Sequence, residues 1–170
     1  MISQTVQLIR RLCCVSVLAL TAFGCSSQPV SGPARESGHA VVNSPAPVTS
    51  TADQAVSIAL RQVGVPYRYG GATPSGFDCS GLVHYSYLRA GKSVPRTTTT
   101  LWNNTRPISV GQIRKGDILF FRISGKMSHV GMYIGRGKFV HAPSSGKTVS
   151  VASLRSDFYS QALIRAGRPE

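Results

Sequence analysis

Between Thr51 and Gly91 the apolar positions recur with helical spacing, and beyond Gly116 they change to alternation and short apolar runs. Val56, Ala59, Leu60 and Val63 stand at i, i+3, i+4 and i+7 behind Thr51-Ala52-Asp53-Gln54, which fits a capping box, so a first helix is predicted from Thr51 to about Val63. Gly64, Pro66, Gly70, Gly71, Pro74 and Gly76 then predict a loop without regular structure. The loop ends at Asp78-Cys79-Ser80-Gly81, where a second helix begins that is closed by Gly91, and a short third helix is predicted after Pro95. Strands are predicted at Asp117 to Arg122, His129 to Ile134, Phe139 to Ala142, Thr148 to Val151 and Gln161 to Ala166. Helices first and a meander of strands afterwards make an α+β fold, with N-terminal helices packed on an antiparallel β-sheet.

The helical pattern does not reach back before Thr51. Ser26 to Ser50 holds no Leu, Ile or aromatic residue, and six Ser, four Pro and two Gly fill 12 of its 25 positions, so it reads as a tether. Ahead of it, Leu12 to Gly24 is uncharged and mostly apolar and follows Arg10-Arg11. Its 13 residues fall short of the roughly 20 that span a bilayer, so an export signal is expected. Ala22-Phe23-Gly24-Cys25 resembles a bacterial lipobox, and Ser26 after it resembles outer-membrane sorting. The expected organisation is a signal peptide at 1–24, a lipidated Cys25 with its tether at 25–50, and one folded domain at 51–170. That places the domain at the periplasmic face of an outer membrane, anchored by lipid.

Removal of such a signal takes away Cys13, Cys14, Arg10 and Arg11, and lowers the formal charge from +13 to +11. An anionic partner is therefore expected. Nucleic acid fits poorly, because a single Trp and no base-reading motif accompany the charge. With 42% hydrophobic and 15% charged positions the chain is not a disordered polyelectrolyte. With Cys25 lipidated, Cys79 is the one thiol left in an oxidising compartment, and an unpaired thiol there calls for an explanation.

Cys79 falls at a helix N-terminus, where free N–H groups and a partial positive charge favour a thiolate and hold an oxyanion. Asp78, a natural N-cap, works against this, so a second positive group beside Cys79 is needed. His39 lies in the tether and His84 on a different helix face from Cys79, which leaves His129 and His141 on consecutive strands. A two-residue turn at Arg136-Gly137 would send their rings to opposite faces. A three-residue loop, Gly135 to Gly137, sets His141 opposite Gly131 and makes His129 its diagonal neighbour on one face, with Val130, Met132, Ile134 and Val140 on the other. The second register is the more consistent.

Cys79 as nucleophile, His129 as base and His141 as the group that holds the base are the roles of an activated thiol, and a thiolate–imidazolium pair is the expected resting state. The same residues also allow a buried Cys with two satisfied strand histidines, or a zinc site completed by water. Gly131, Gly135 and Gly137 do not form a nucleotide loop, since no helix follows them.

Val65 to Gly71 (VPYRYGG), Phe77 to Val83 (FDCSGLV), Val94 to Thr97 (VPRT), Gly116 to Phe121 (GDILFF), Ser128 to Gly135 (SHVGMYIG) and Phe139 to Ala142 (FVHA) together resemble the NlpC family of bacterial cell-wall cysteine peptidases. The resemblance implies a papain-like fold of permuted chain order and makes 51–170 the catalytic domain. It implies Cys79 as nucleophile, His129 as base, His141 as the residue that orients it, Tyr67 beside the nucleophile at the oxyanion, and Asp78, Ser80 and Ser128 along the substrate groove. Read without it, Asp78 is a helix cap, Ser80 a first-turn filler and Tyr67 a core residue. One departure stands out: the family's usual Gln, four residues beyond the Thr of VPRT, is Leu101 here, in what would be a groove wall.

By the same resemblance the expected activity is hydrolysis of peptide bonds in peptidoglycan stems or cross-links through an acyl-enzyme. The chain is expected to act as a monomer with neither metal nor cofactor. Acyl or amide transfer by the same triad, and a non-catalytic lipoprotein that binds the wall, are the alternatives. Which bond is cut is not legible in the residues.

Overall fold

The computed structural model describes residues 49–170, so the expected signal, Cys25 and nearly all of the tether lie outside the described residues. The first helix, α1 (Thr51–Leu60), is capped by Ser50 rather than Thr51: the Ser50 hydroxyl accepts the Asp53 amide at 3.1 Å. It ends three residues before the expected Val63. The chain leaves the helix axis as turns, with Gly64 at φ +94° donating its amide to Val149 O. The buried face is Ala55, Val56 and Ala59, whereas Leu60 and Val63 are exposed, so the predicted stripe is correct in period and displaced in phase.

The Gly-rich loop is more regular than its composition suggested, because it closes a minimal hairpin of β1 (Ala72–Thr73) and β2 (Gly76–Phe77). Glycine is needed for the closure: a Cβ on Gly71 would stand 2.3 Å from Gly76 O. Next come α2 (Cys79–Arg89), capped by Asp78 and followed by Gly91 at φ +84°, and α3 (Thr98–Asn103), closed by a reciprocal Thr97–Thr100 capping box. Helices α1 and α2 pack on each other, and α2 packs on the sheet.

The sheet contains β3 (Thr105–Ile108), β4 (Ile118–Ile123), β5 (Lys126–Gly135), β6 (Lys138–His141), β7 (Ser150–Ser153) and β8 (Leu163–Pro169) in the order β3-β8-β4-β5-β6-β7, all antiparallel. The five expected strands are present within a few residues of their predicted bounds. Strand β3 and the short helix α4 (Asp157–Ala162) were not anticipated. Both faces of the central strands are covered. Ile118, Phe120, Val130, Met132 and Val140 meet the helices, while Leu119, Phe121, Phe139 and Ala166 form a second core with Ala162 of α4. That is why this region reads as apolar runs rather than clean alternation.

The β5–β6 hairpin combines the two loops weighed from sequence. Met132 pairs with Val140 and Tyr133 with Phe139, the register that puts both histidines on one face. The loop itself is not the expected three residues, however. Gly135 pairs with Lys138, leaving Arg136 and Gly137 as a two-residue turn with φ +54° and +70°, and Ile134 is a bulge that restores the register. A second bulge on β5 is Ser128, which lies between the pairs Phe121–His129 and Arg122–Met127.

Strand β8 is fixed to the start of β4 by an ion pair whose carboxylate is buried and whose guanidinium is partly exposed. Arg168 Nε and Nη2 donate to the two Asp117 carboxylate oxygens at 2.7 and 2.8 Å, and Asp117, whose side chain is 2% exposed, also accepts the Arg114 amide. Removing one partner strands a charge, so Arg168→Ala is expected to cost about 3–5 kcal/mol in urea unfolding. The double change Asp117→Asn with Arg168→Met should cost clearly less; equal losses would show that Arg168 acts through packing alone.

Candidate active site

Cys79 is the first residue of α2 and is 9% exposed. Its sulfur lies 3.9 Å from Thr98 Oγ1, and the backbone amides of Val130 and Ser80 act on it to favour the thiolate. The site is therefore assembled from the helix start, α3 and the middle of β5. Asp78 holds these pieces together. Its carboxylate accepts the Gly81 amide at 2.6 Å as helix cap, the Gly70 amide at 3.0 Å, and Arg96 Nη1 and Nη2 at 2.9 and 2.8 Å. Arg96 also donates to Ser80 Oγ and Gly71 O. Gly81 is required by the tightness here, since a Cβ on it would lie 2.0 Å from Gly71 O.

His129 and His141 are 4% and 2% exposed, and Nε2 of the first stands 2.8 Å from Nδ1 of the second. The His141 ring lies at 4.9 Å from Phe139 and at 5.4 Å, edge to face, from Tyr159 of α4, so the second core fixes its orientation. His129 sits between Ser128, which lines the cleft, and Val130, whose amide reaches the Cys79 sulfur. With Nε2 facing His141, Nδ1 is the remaining ring nitrogen of His129.

A cleft of about 550 Å³ gathers Tyr67, Asp78, Cys79, Ser80 and Ser128 with Arg96 and Thr97 to Thr99. All five sequence-predicted residues of the groove and nucleophile thus share one opening, which the two buried histidines do not line. Leu101 is not part of the wall: it is fully buried in the core, and Thr97 to Thr99 line the cleft instead. His84 is structural, its Nδ1 2.7 Å from Val94 O. Arg96 and Thr98 were missed as site residues. Arg96 was visible in the VPRT block, but the positive group expected beside Cys79 was assigned to histidine.

The expected thiolate–imidazolium resting pair is corrected by the electrostatics. Burial pushes the Cys79 thiol up, against the hydrogen bonds from Val130, Thr98 and Ser80 that lower it. Burial, reinforced by the neighbouring His141, brings His129 down to about 3, and burial brings His141 down to about 4. At neutral pH the resting site is a thiol beside two neutral imidazoles. The Tyr67 hydroxyl is raised, first by burial and then by Cys79 and Asp78, and so stays a donor. Among the described residues no group of three or more His, Cys, Asp or Glu is arranged for a metal, and the facing histidine nitrogens are joined to each other.

The model of the NlpC/P60 family matches residues 64–168. Murein DD-endopeptidase MepH of Escherichia coli K12 is 39% identical over 115 residues, 64% of this chain and 42% of that one. The bifunctional muramidase/DL-endopeptidase CwlT of Bacillus subtilis is 39% identical over 114 residues, 65% of this chain and 34% of its own length. A crystal structure of an NlpC/P60 family protein from Bacillus cereus superposes with a TM-score of 0.66 at 32% identity, covering 71% of this chain and 40% of that one. The chain thus spans less than half the length of either curated relative.

The neutral histidines make stability depend on pH. Below about 6.5 the unfolded chain takes up protons at both positions, while the folded chain does not until about pH 4 at His141 and 3 at His129, so stability falls as pH drops through this window. His141→Asn is expected to reduce the slope between pH 6 and 4.5 by about one proton, roughly 1.4 kcal/mol per pH unit. Urea titrations at stepped pH measure it, and identical slopes would mean that His141 is not held neutral.

Proposed function

The chain belongs to the NlpC/P60 family, and from that premise and the site around Cys79 we propose that it is a peptidoglycan endopeptidase working through Cys79, His129 and His141. The observation that carries the proposal is the single cleft that gathers Cys79, at the start of α2, with Tyr67, Ser80 and Ser128, the residue before His129. The Nε2 of that histidine is engaged by a second imidazole, His141, at 2.8 Å. The neutral pair works as base when His129 Nε2–H donates to His141 Nδ1, leaving a lone pair on His129 Nδ1.

In the proposed reaction, the substrate excludes water from the cleft and brings its carbonyl over Cys79. The thiol proton passes to His129 Nδ1 as sulfur bonds to the carbonyl carbon, and the α2 amides with the Tyr67 hydroxyl receive the oxyanion. Collapse breaks the C–N bond, and the leaving amine takes the proton from His129. Water then gives a proton to His129 and attacks the thioester; the acid leaves and sulfur regains its proton. Because His129 begins neutral, the imidazolium exists only within the reaction, and His141 Nδ1 stabilises it by accepting Nε2–H. Asp78, Ser80 and Ser128 hold the peptide on either side of Cys79. The names of MepH and CwlT, a DD- and a DL-endopeptidase, support a stem or cross-link peptide bond as the target.

Sacculi digested with the full-length protein should release muropeptides, whose masses identify the bond. Cys79→Ser and His129→Ala should each lower release by at least about a thousandfold, and together hardly more than either alone. His141→Asn and His141→Gln, which keep a polar group near the base, should retain measurable turnover. Wild-type turnover in His129→Ala would refute the assignment of the base.

The proposal extends to location: export by residues 1–24, and a lipid on Cys25 that holds the domain by its 25–50 tether at the periplasmic face of the outer membrane, where a monomer works on the wall. Cys25→Ala should move the protein from the membrane to the soluble fraction with muropeptide release intact. Unchanged fractionation would refute the anchor.

A further inference from the structure

From Ile118 to Ser156 the chain contains no Asp or Glu and six Lys or Arg. Three of them, Arg136, Lys138 and Arg155, gather with Lys115 at the end of the sheet remote from Cys79, whereas Arg122 and Lys126 stand at the other end of β4 and β5. The β5–β6 turn carries Arg136, and Lys138 begins β6. Lys115 Cε lies 3.4 Å from where a Cβ on Gly135 would stand, and Arg155 Nε 3.3 Å from the same position on Gly137. The Leu154 amide on Gly137 O, at 2.8 Å, ties the Arg155 segment to the turn. Lys115, Arg136, Lys138 and Arg155 are all exposed, and none pairs with a carboxylate among the described residues. Of the two acids nearest along the chain, Asp117 is buried against Arg168, and the exposed Asp157, two residues beyond Arg155, pairs with none of the four. Arg136 occupies a left-handed turn position that suits Gly or Asn, so a cation sits at the tip despite a backbone cost of about 1–2 kcal/mol.

Six residues of extended strand separate His129 from Gly135, roughly 20 Å, so these cations do not touch a peptide seated at Cys79. We propose that Lys115, Arg136, Lys138 and Arg155 form a second wall-binding surface, which holds the free carboxylates of neighbouring stem peptides while one peptide occupies the cleft. The endopeptidase reading supplies the identity of the polymer. The surface itself follows from four unpaired cations at one strand end, and its partner is a repeating carboxylate polymer because a single carboxylate would leave most of them unmatched. Stem peptides on a glycan present that repeat.

The test compares an insoluble and a soluble substrate with the full-length protein. Lys115→Gln, Arg136→Gln, Lys138→Gln and Arg155→Gln combined should lower retention on sacculi at 50 mM NaCl by at least about tenfold and flatten its salt dependence. Hydrolysis of a soluble disaccharide peptide should stay within about twofold of wild type. Arg136→Gly removes one charge while relieving the left-handed strain, so it should lower retention about two- to threefold in a protein at least as stable as the parent. Sacculi whose carboxylates have been amidated should retain the wild type poorly. Wild-type retention by the quadruple variant, a parallel loss on the soluble substrate, or undiminished retention on amidated sacculi would each overturn the proposal; so would vesicles of anionic phospholipid displacing the protein where soluble stem peptides do not. If the wild type fails to cleave the soluble fragment, the endopeptidase reading falls while the retention result still decides the surface.

Discussion

The cleft depends on one carboxylate. Asp78 caps α2 through the Gly81 amide, draws in the Tyr67–Gly71 loop through the Gly70 amide, and fixes the segment before α3 through both Arg96 nitrogens. Three segments far apart in sequence therefore meet at a group adjacent to the nucleophile. Hydrogen bonds to a charged group contribute about 1.5–3 kcal/mol each, enough for this cluster to set the cleft's shape rather than follow it. The closeness also explains Gly81, because any side chain there would push α2 off the loop. A helix cap and a groove residue, offered by the sequence as alternative readings of Asp78, are compatible descriptions of one side chain.

Arg96 resolves a second tension. A carboxylate next to Cys79 disfavours a thiolate, and the guanidinium that pairs with it offsets most of its charge, leaving Asp78 a smaller influence on the thiol than burial or the hydrogen bonds from Val130 and Thr98. Burial remains. A helix N-terminus stabilises an anion by about 0.3–1 kcal/mol, up to about 2 in partly buried sites, less than about 1.5 pK units, whereas desolvation reaches 3–5 units. Sequence reasoning identified the dipole and had no access to the burial, so it expected an ion pair where the folded chain holds a neutral one.

The fold was legible where local chemistry and tertiary context agree. Asp78 and Gly91 bound α2 as their residue types require, and the period-two pattern located the central strands. The histidine register was read correctly from a loop that proved different in detail, because the bulge at Ile134 supplies the one-residue offset assigned to the turn. What escaped has its definition at a distance. Strand β3 carries Pro107 and two exposed positions and exists because β8 pairs with it; α4 has only six residues and is held by packing on Phe121 and Phe139. The predicted site residues were found because their residue types carry the chemistry within short blocks, while the role of Arg96, itself in the VPRT block, depends on a partner 18 positions away and that of Thr98 on the approach of α3 to the thiol.

The strongly basic composition and the neutral site belong to the same design problem. Unpaired charge beside a buried thiol and two buried imidazoles would shift which of them holds the proton, and the carboxylate nearest the thiol, Asp78, is accordingly paired with Arg96. The four cations proposed to bind the wall lie at the Gly135 end of β5, while exposed Arg122 and Lys126 stand at the end that carries Ser128 and His129. At roughly 20 Å the distance from the Gly135 cluster to His129 exceeds two Debye lengths at physiological ionic strength, so those four cations leave the proton balance at Cys79 to burial and hydrogen bonding. The far end of one strand can thus carry positive charge without dictating the chemistry of the reaction centre.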